Sequence, residues 1–208
     1  HPASDAEYRE ELDRLFRQAV NRQLVSDVEL GSYLSGGMDS GWITAIAAMS
    51  FPNLKSFTCG FDLSSASGIE LSFDERPKAE FMSARFKTEH YEMVLKAGDM
   101  ERCLPQVARH LEEPRVGQSY PNYYAAKLAS KFVKVVLSGS GGDELFGGYN
   151  RHRLAPALQQ RFGRLPPLLR RGLARGLEQL PVSSDGLARD KRQKLAAALR
   201  AAGSLEKL

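Results

Sequence analysis

Short apolar strands alternate with helical segments along the first two thirds of this 208-residue sequence. The patterns predict strands at 27–34, 54–61, 90–95 and 133–137, and helices at 5–24, 39–49, 74–86, 98–111 and 122–130. Strands that alternate with helices of these lengths form βαβ units. The predicted fold is therefore α/β, with a doubly wound parallel sheet and flanking helices. In such a sheet, ligands bind beyond the carboxyl ends of the strands.

Two of these elements allow more detailed expectations. The strand at 133–137 reads VKVVL, and its β-branched residues predict burial on both faces of the sheet. Asp74 is the predicted N-cap of the helix that ends near residue 86. Pro77 then falls in the first turn of that helix, where its missing N–H does no harm.

The pattern changes after Gly148, where only helical signals remain. Residues 151–208 contain 13 Lys and Arg against 4 Asp and Glu, whereas residues 1–150 contain 16 against 21. We therefore divide the chain into an α/β core at 1–150 and a basic helical portion at 151–208. A basic surface of this kind contacts nucleic acid or an acidic partner, or is a solvated face of helices.

A short glycine loop separates the first predicted strand from the helix that follows it. Residues 35–40 read SGGMDS, and the glycines let backbone N–H groups approach an anion at the positive end of the helix. Ser35 and Ser40 can donate to phosphate oxygens, and Asp39 can hold a divalent cation. The loop is not a Walker P-loop because no GK[ST] follows the glycines, and an ordinary capped glycine turn is the alternative.

A second glycine loop, SGSGGDELFGGY, follows the last predicted strand at residues 138–149. In a parallel sheet this loop opens on the same edge as the first one. Asp39 and Asp143 would then face a shared polyphosphate, and each could reach a magnesium ion.

These motifs resemble those of a known enzyme family. SGGMDS resembles the pyrophosphate-binding loop of the ATP-pyrophosphatase (PP-loop) enzymes. SGSGGDELFGGY, together with LEEPRVGQSYP at residues 111–121, is similar to the synthetase domain of glutamine-dependent asparagine synthetases, the asparagine synthetase B family. The resemblance covers roughly residues 5–155 and implies an adenine nucleotide alpha hydrolase-like fold.

The resemblance also implies a reaction and a set of site residues. In that family ATP adenylates the side-chain carboxylate of aspartate with release of pyrophosphate, and ammonia then displaces AMP. ATP and Mg²⁺ are the implied cofactors. The implied nucleotide- and pyrophosphate-binding residues are Leu34, Ser35, Gly36, Gly37, Asp39, Ser40, Cys59, Ser138 and Gly139, with Asp39 and Asp143 as metal ligands. The candidate catalytic residues are Asp39, Asp143 and Ser140. Glu113, Ser119 and Tyr120 lie where a substrate pocket would be built. Asp74 and Glu75 either approach the polyphosphate or the substrate amine, or are ordinary N-terminal helix charges.

The sequence departs from the family pattern in three ways. Ser140 stands where many asparagine synthetases carry an acid, and a serine hydroxyl can orient a group but cannot act as a base at neutral pH. The glutaminase domain that supplies ammonia in the family is not expected within this sequence. The later helical segment with the family's catalytic lysine is expected beyond residue 208, so that the chain is expected to be an incomplete piece of an amide ligase.

Three functional alternatives stay open. The enzyme could act on another carboxylate, or it could be a tRNA-modifying PP-loop enzyme whose basic residues bind RNA. It could also be a binding module that keeps the nucleotide site without chemistry. Only Cys59 and Cys103 are present, and no apolar run approaches 18 residues, so we expect a cytoplasmic chain without a CxxC metal pair or a membrane span. Nucleic acid is not the expected partner, and a homodimer is left open.

Overall fold

The structure, a computed structural model, describes residues 4–65, 74–113, 119–149, 152, 156–157, 160–179 and 186–201. The chain forms two compact units, residues 1–140 and 141–208. The described elements of the first unit are α1 (Asp5–Gln23), β1 (Leu30–Tyr33), α2 (Met38–Ser50), β2 (Lys55–Phe61), α3 (Arg76–Phe86), β3 (Glu89–Leu95), α4 (Asp99–Leu111), α5 (Ser119–Ala129) and β4 (Val135–Leu137). Those of the second unit are α6 (Gly142–Phe146), α7 (Pro167–Gln179) and α8 (Gly186–Ala201). The predicted boundary at residue 150 stays a prediction.

The four strands form one parallel sheet in the order β3-β2-β1-β4. The chain moves outward from β1 through β2 to β3 and then returns to pair β4 with the other side of β1. The strand order therefore reverses between β1 and β4, and this is the position where open α/β sheets bind ligands. The predicted α/β fold with a parallel, helix-flanked sheet is confirmed.

Apolar side chains cover the sheet on both faces. On one face, Leu30 of β1 packs with residues of α1 and α2, including Val20 and Ile46. On the other face, Phe57 of β2 packs with Leu128 of α5. Neighbouring residues of a strand point to opposite faces, so that β4 contributes Leu137 to the first core and Val136 to the second.

Hydroxyl groups lie in two hydrogen-bonded groups on the face of the sheet that α2 and α3 cover. The Oγ of Ser32 on β1 is 2.8 Å from the Oγ1 of Thr44, which donates to the carbonyl of Ser40 at 2.7 Å. On β2, the Oγ of Ser56 is 2.8 Å from both Thr88 Oγ1 and His90 Nδ1. Ser32, Thr44 and Ser56 are fully buried, whereas Thr88 and His90 are partly buried, and each buried hydroxyl has a hydrogen-bond partner.

The expectation for the last strand is wrong in one respect. β4 begins at Val135, which is 38% exposed, and Val136 and Leu137 are only partly buried. Among the described strands β4 pairs with β1 alone, so its outer edge carries no further strand. Val133, just before β4, is buried as expected.

The N-cap of α3 is also not the predicted residue. Glu75 occupies the cap position and makes no side-chain capping bond. The Asp74 carboxylate accepts two hydrogen bonds from the guanidinium of Arg76, each of 2.8 Å, and a longer one of 3.5 Å from the backbone N–H of Arg76. The guanidinium is the stronger donor, because a bidentate bond between two charged groups is stronger than a bond to one backbone N–H. Pro77 lies in the first turn as predicted.

The second unit has a small core of its own, in which Ala174 of α7 packs with Ala196 and Leu199 of α8. Across the described part of the chain, no helix combines the length and the apolar character needed to cross a membrane.

Candidate functional site

The first glycine loop begins directly at the carboxyl end of β1. Leu34 is fully buried, its N–H donates to the carbonyl of Phe57 at 2.9 Å, and its own carbonyl accepts from the hydroxyl of Thr58. Both backbone groups of Leu34 are thus tied to β2. Leu34 holds the start of the loop in the sheet, and its side chain does not reach solvent.

Gly36 occupies a position that only glycine suits. Its φ is +76°, a conformation in which a side chain is strained. A Cβ at this position would also overlap the Cβ of Lys78 and lie 3.1 Å from the backbone nitrogen of Ala79. The loop therefore packs directly against the first turns of α3.

The serine hydroxyls of the loop hold it closed on the start of α2. The Oγ of Ser40 is 3.0 Å from the Oγ of Ser35 and accepts from the backbone N–H of Ser35 at 3.2 Å. Gly37 is the N-cap of α2 and offers no side-chain capping bond. The first N–H groups of a helix have no carbonyl partner within it, and they lie at the positive end of its dipole. This arrangement is suited to binding an anion.

The second glycine loop approaches the same helix end. A Cβ on Gly139 would lie 2.8 Å from the backbone nitrogen of Ser40 and 3.2 Å from Asp39. The Oγ of Ser138 is 2.9 Å from the Oγ of Ser140 and accepts from the N–H of Ser140 at 3.2 Å, which forms a tight turn around Gly139. The structure therefore brings together residues 35–40 and 138–140, which are a hundred positions apart in the sequence, at the point where the strand order reverses.

The two candidate metal ligands lie in different units. Asp39 is in the first turn of α2, and Asp143 is in α6 with its carboxylate against Gly148. Among the residues that the structure describes, no three His, Cys, Asp or Glu side chains cluster as a metal site. Magnesium is usually held by one or two carboxylates together with substrate phosphates and water, and each aspartate is a ligand of that type. The shared magnesium site stays a prediction.

Cys59 lies on β2, opposite Met93 of β3. Burial raises the pKa of its thiol to about 12, so the thiol is uncharged at neutral pH. A protonated thiol is neither a nucleophile nor a metal ligand. The structure thus gives Cys59 the character of a small apolar residue, and its contact with a nucleotide stays a prediction.

Sequence reasoning missed the part that α3 plays at this edge of the sheet. Besides holding Asp74, Arg76 donates to the carbonyl of Phe61, the last residue of β2, at 2.7 Å. Arg76 also lies so close to Gly60 that a Cβ there would be 2.5 Å from its side chain. These contacts fix the beginning of α3 beyond the end of β2. No local sequence pattern predicts them.

The expected substrate-pocket residues are placed only in part. Tyr120 is near the carboxyl end of β2, with its ring 6.4 Å from that of Phe61. Ser119 begins α5, and its hydroxyl is buried without a hydrogen-bond partner among the described residues. Glu113 is exposed, and the residues between it and Ser119 lie outside the described part.

The family model described as Asparagine synthase matches residues 11–207. The chain belongs to the asparagine synthase family. Its four-stranded parallel sheet with flanking helices is consistent with a PP-loop ATP pyrophosphatase-like fold. The resemblance inferred from the two glycine loops is thereby confirmed.

Individual relatives agree with the family assignment. A Mycobacterium bovis protein is 36% identical over 178 residues, which are 85% of this chain and 26% of the relative. The glutamine-hydrolysing asparagine synthetase 1 of Bacillus subtilis is 36% identical over 169 residues, 81% of this chain and 26% of the relative. A glutamine-hydrolysing asparagine synthetase of Triphysaria versicolor is 34% identical over 147 residues, which are 68% of this chain and 25% of the relative. The chain thus spans about a quarter of the length of these asparagine synthase relatives.

Proposed function

We propose that this chain provides the ATP-binding and amide-forming part of an asparagine synthetase. The observation that carries the proposal is the approach of Gly139 to the start of α2, with a hypothetical Cβ only 2.8 Å from the nitrogen of Ser40. Two glycine loops, from the strands on either side of the reversal point, meet at this helix end, where the backbone segments approach too closely for side chains. This cradle favours a nucleotide over a ligand recognised by side chains alone.

The proposed division of labour follows from the position of each group. The backbone N–H groups of Gly37 and of the first turn of α2 would bind the pyrophosphate end of ATP, aided by the hydroxyls of Ser35 and Ser40. Ser138, Gly139 and the end of β2 near Cys59 would border the nucleoside. Magnesium, held by Asp39 and Asp143, would neutralise charge on the phosphates when bound.

The reaction that we propose has two steps. A carboxylate oxygen of the substrate attacks the α-phosphorus of ATP, the bond from that phosphorus to the bridging oxygen breaks, and pyrophosphate leaves. Ammonia then attacks the acyl carbon, the bond to AMP breaks, and nitrogen loses a proton as the amide forms. Preorganised N–H groups and a helix dipole stabilise the charge that develops on the departing pyrophosphate.

Aspartate is the proposed carboxylate, because the family and its named relatives are asparagine synthases. Ser140 leaves another carboxylate as the alternative. Its hydroxyl is 2.9 Å from Ser138 Oγ and can orient a substrate group, but it cannot remove the proton that ammonia loses. We propose that the ammonia comes from a glutaminase domain, as the names of the relatives indicate, and that the reaction is cytoplasmic, where ATP is plentiful.

Calorimetry with Mg–ATP tests the nucleotide site directly. We expect the wild-type chain to bind Mg–ATP and Asp39→Ala to bind it at least about tenfold more weakly, a difference of about 1.4 kcal/mol. A matched control is Asp13→Ala, which removes from α1 a partly exposed carboxylate that pairs with Arg17. Equal binding by wild type and Asp39→Ala would overturn the assignment.

Exchange of labelled pyrophosphate into ATP tests the adenylation step. Measured with a panel of carboxylic acids, the exchange identifies the substrate. Release of ADP and orthophosphate would contradict adenylation.

A further inference from the structure

The first glycine loop brings no cation of its own to a phosphate site. Residues 34–41 read LSGGMDSG, with one acidic residue and neither Lys nor Arg. Proteins that bind phosphate groups combine backbone N–H groups with the charge of Lys or Arg side chains. The proposed Mg²⁺ would neutralise only part of the charge of a triphosphate, so a cationic side chain from another element would strengthen its binding.

Lys78 is the basic residue of α3 that stands against this loop. The Cβ of Lys78 occupies the space in which a side chain at position 36 would lie, and its carbonyl carbon is 3.2 Å from the same point. The residue is exposed, and it forms no ion pair with the described residues. Its ammonium is carried on a flexible four-carbon stem that starts at the loop.

Arg76, two residues earlier on α3, is not available for the same role. Its Nε and Nη2 donate to the carboxylate of Asp74, and Nη2 also donates to the carbonyl of Phe61. These bonds raise the pKa of the guanidinium and hold it in place, with only 22% of the side chain exposed. Arg76 therefore positions α3, and this position brings Lys78 to Gly36.

We propose that Lys78 is a phosphate-contacting residue whose ammonium binds the pyrophosphate end of ATP. The inference rests on the proposed function, since it assigns a further residue to the same nucleotide site. The competing explanation is a solvated surface lysine that meets no ligand. The two differ in what removal of the charge does to phosphate binding.

The test compares three variants of the full 208-residue chain by calorimetry. Lys78→Ala removes the cation, Lys78→Arg keeps it, and Arg85→Ala removes an exposed cation seven positions further along the same helix. We expect Lys78→Ala to weaken binding of Mg–ATP and of magnesium pyrophosphate about tenfold. The affinity of Lys78→Arg for both ligands should be within a few-fold of that of wild type, and the affinity of Arg85→Ala should equal that of wild type. Adenosine, which has no phosphate, should bind all four proteins equally.

Each other result has a definite meaning. Equal pyrophosphate affinity in Lys78→Ala and wild type overturns the role of Lys78 and leaves the proposed function intact. A parallel loss of adenosine binding, or of thermal stability, also overturns it, because the lysine would then act through the fold. Failure of the wild type to bind Mg–ATP overturns the proposed function, and the inference fails with it.

Discussion

Gly36 and Gly139 exclude side chains from the site for different reasons. Gly36 has a positive φ and is also crowded by Lys78, so a side chain there would be strained whatever the space around it. Gly139 does not have a positive φ, and the approach of Ser40 alone forbids a Cβ. The motif identified both residues, but only the folded chain shows that Gly139 faces the helix after the first loop.

Replacing Gly139 by alanine tests this contact. The added Cβ would lie 2.8 Å from the nitrogen of Ser40, so the second loop must move away from α2. We expect Gly139→Ala to lower the free energy of unfolding by about 1–3 kcal/mol, as overpacking does. Mg–ATP affinity should fall about tenfold or more because the N–H groups of α2 are partly covered.

Gly141→Ala is the matched control in the same loop. A Cβ there meets no atom of the described residues within 4 Å, although its φ of +99° makes alanine strained. This variant should lose stability through its backbone while keeping more of its affinity for Mg–ATP than Gly139→Ala. If Gly139→Ala binds Mg–ATP as wild type does, the contact has no part in nucleotide binding.

The sheet shows how far element patterns alone can be used. Alternation of strands with helices predicted four parallel strands, and the structure contains four among the described residues. The burial of β4 was predicted wrongly, because β-branched residues indicate a strand without indicating whether it lies at the centre or the edge of the sheet. The buried hydroxyl groups were not predicted either. A Ser or Thr is expected at the surface unless its hydrogen-bond partner is known, and these partners come from other elements of the fold.

His90 on β3 gives this polar layer a dependence on pH. Its Nδ1 is 2.8 Å from Ser56 Oγ. Burial lowers the pKa of the imidazole below its ordinary 6.5, and the attraction of Glu92 and Glu80 offsets only part of that effect. Between the lowered pKa and 6.5, the unfolded chain binds more protons than the folded one. The free energy of unfolding should therefore be fully retained above about pH 6.5 and decline as the pH falls below it.

Urea unfolding at a series of pH values measures this effect. His90→Gln keeps a polar side chain and removes the titration, so the loss of stability below about pH 6.5 should be smaller in this variant than in wild type. His110→Gln is the control, because it removes an exposed histidine from α4. Identical pH profiles for wild type and His90→Gln would show that the imidazole is not destabilised by burial.

At the scale of the whole molecule, the average charge of +4 combines an acidic part of the sequence with a basic one. The two glycine loops could be recognised from sequence because each has a local motif. The role of Arg76 could not, since it depends on bonds between residues 15 positions apart, from Arg76 to the carbonyl of Phe61. The division into units at residues 140 and 141 falls within the second motif, so that Ser138 and Gly139 belong to one unit and Asp143 to the other.

The proposed magnesium site takes one carboxylate from each glycine loop, and this sharing can be tested with variants of the whole chain. If Asp39 and Asp143 hold one ion, removal of either carboxylate should abolish most of the binding free energy that the ion contributes to the nucleotide complex. Asp39→Ala and Asp143→Ala should then each weaken Mg–ATP binding about tenfold or more, whereas the double variant should be little weaker than the poorer single variant.

Calorimetry on the wild type, both single variants and the double variant yields the coupling energy. We expect a coupling of about 1 kcal/mol or more when the titrations contain magnesium, because residues that share a partner are not additive. The coupling should fall towards zero when magnesium is replaced by a chelator, since both carboxylates then face the phosphates without a common ion. Additive losses in the presence of magnesium would place the two aspartates at independent positions and contradict a shared site.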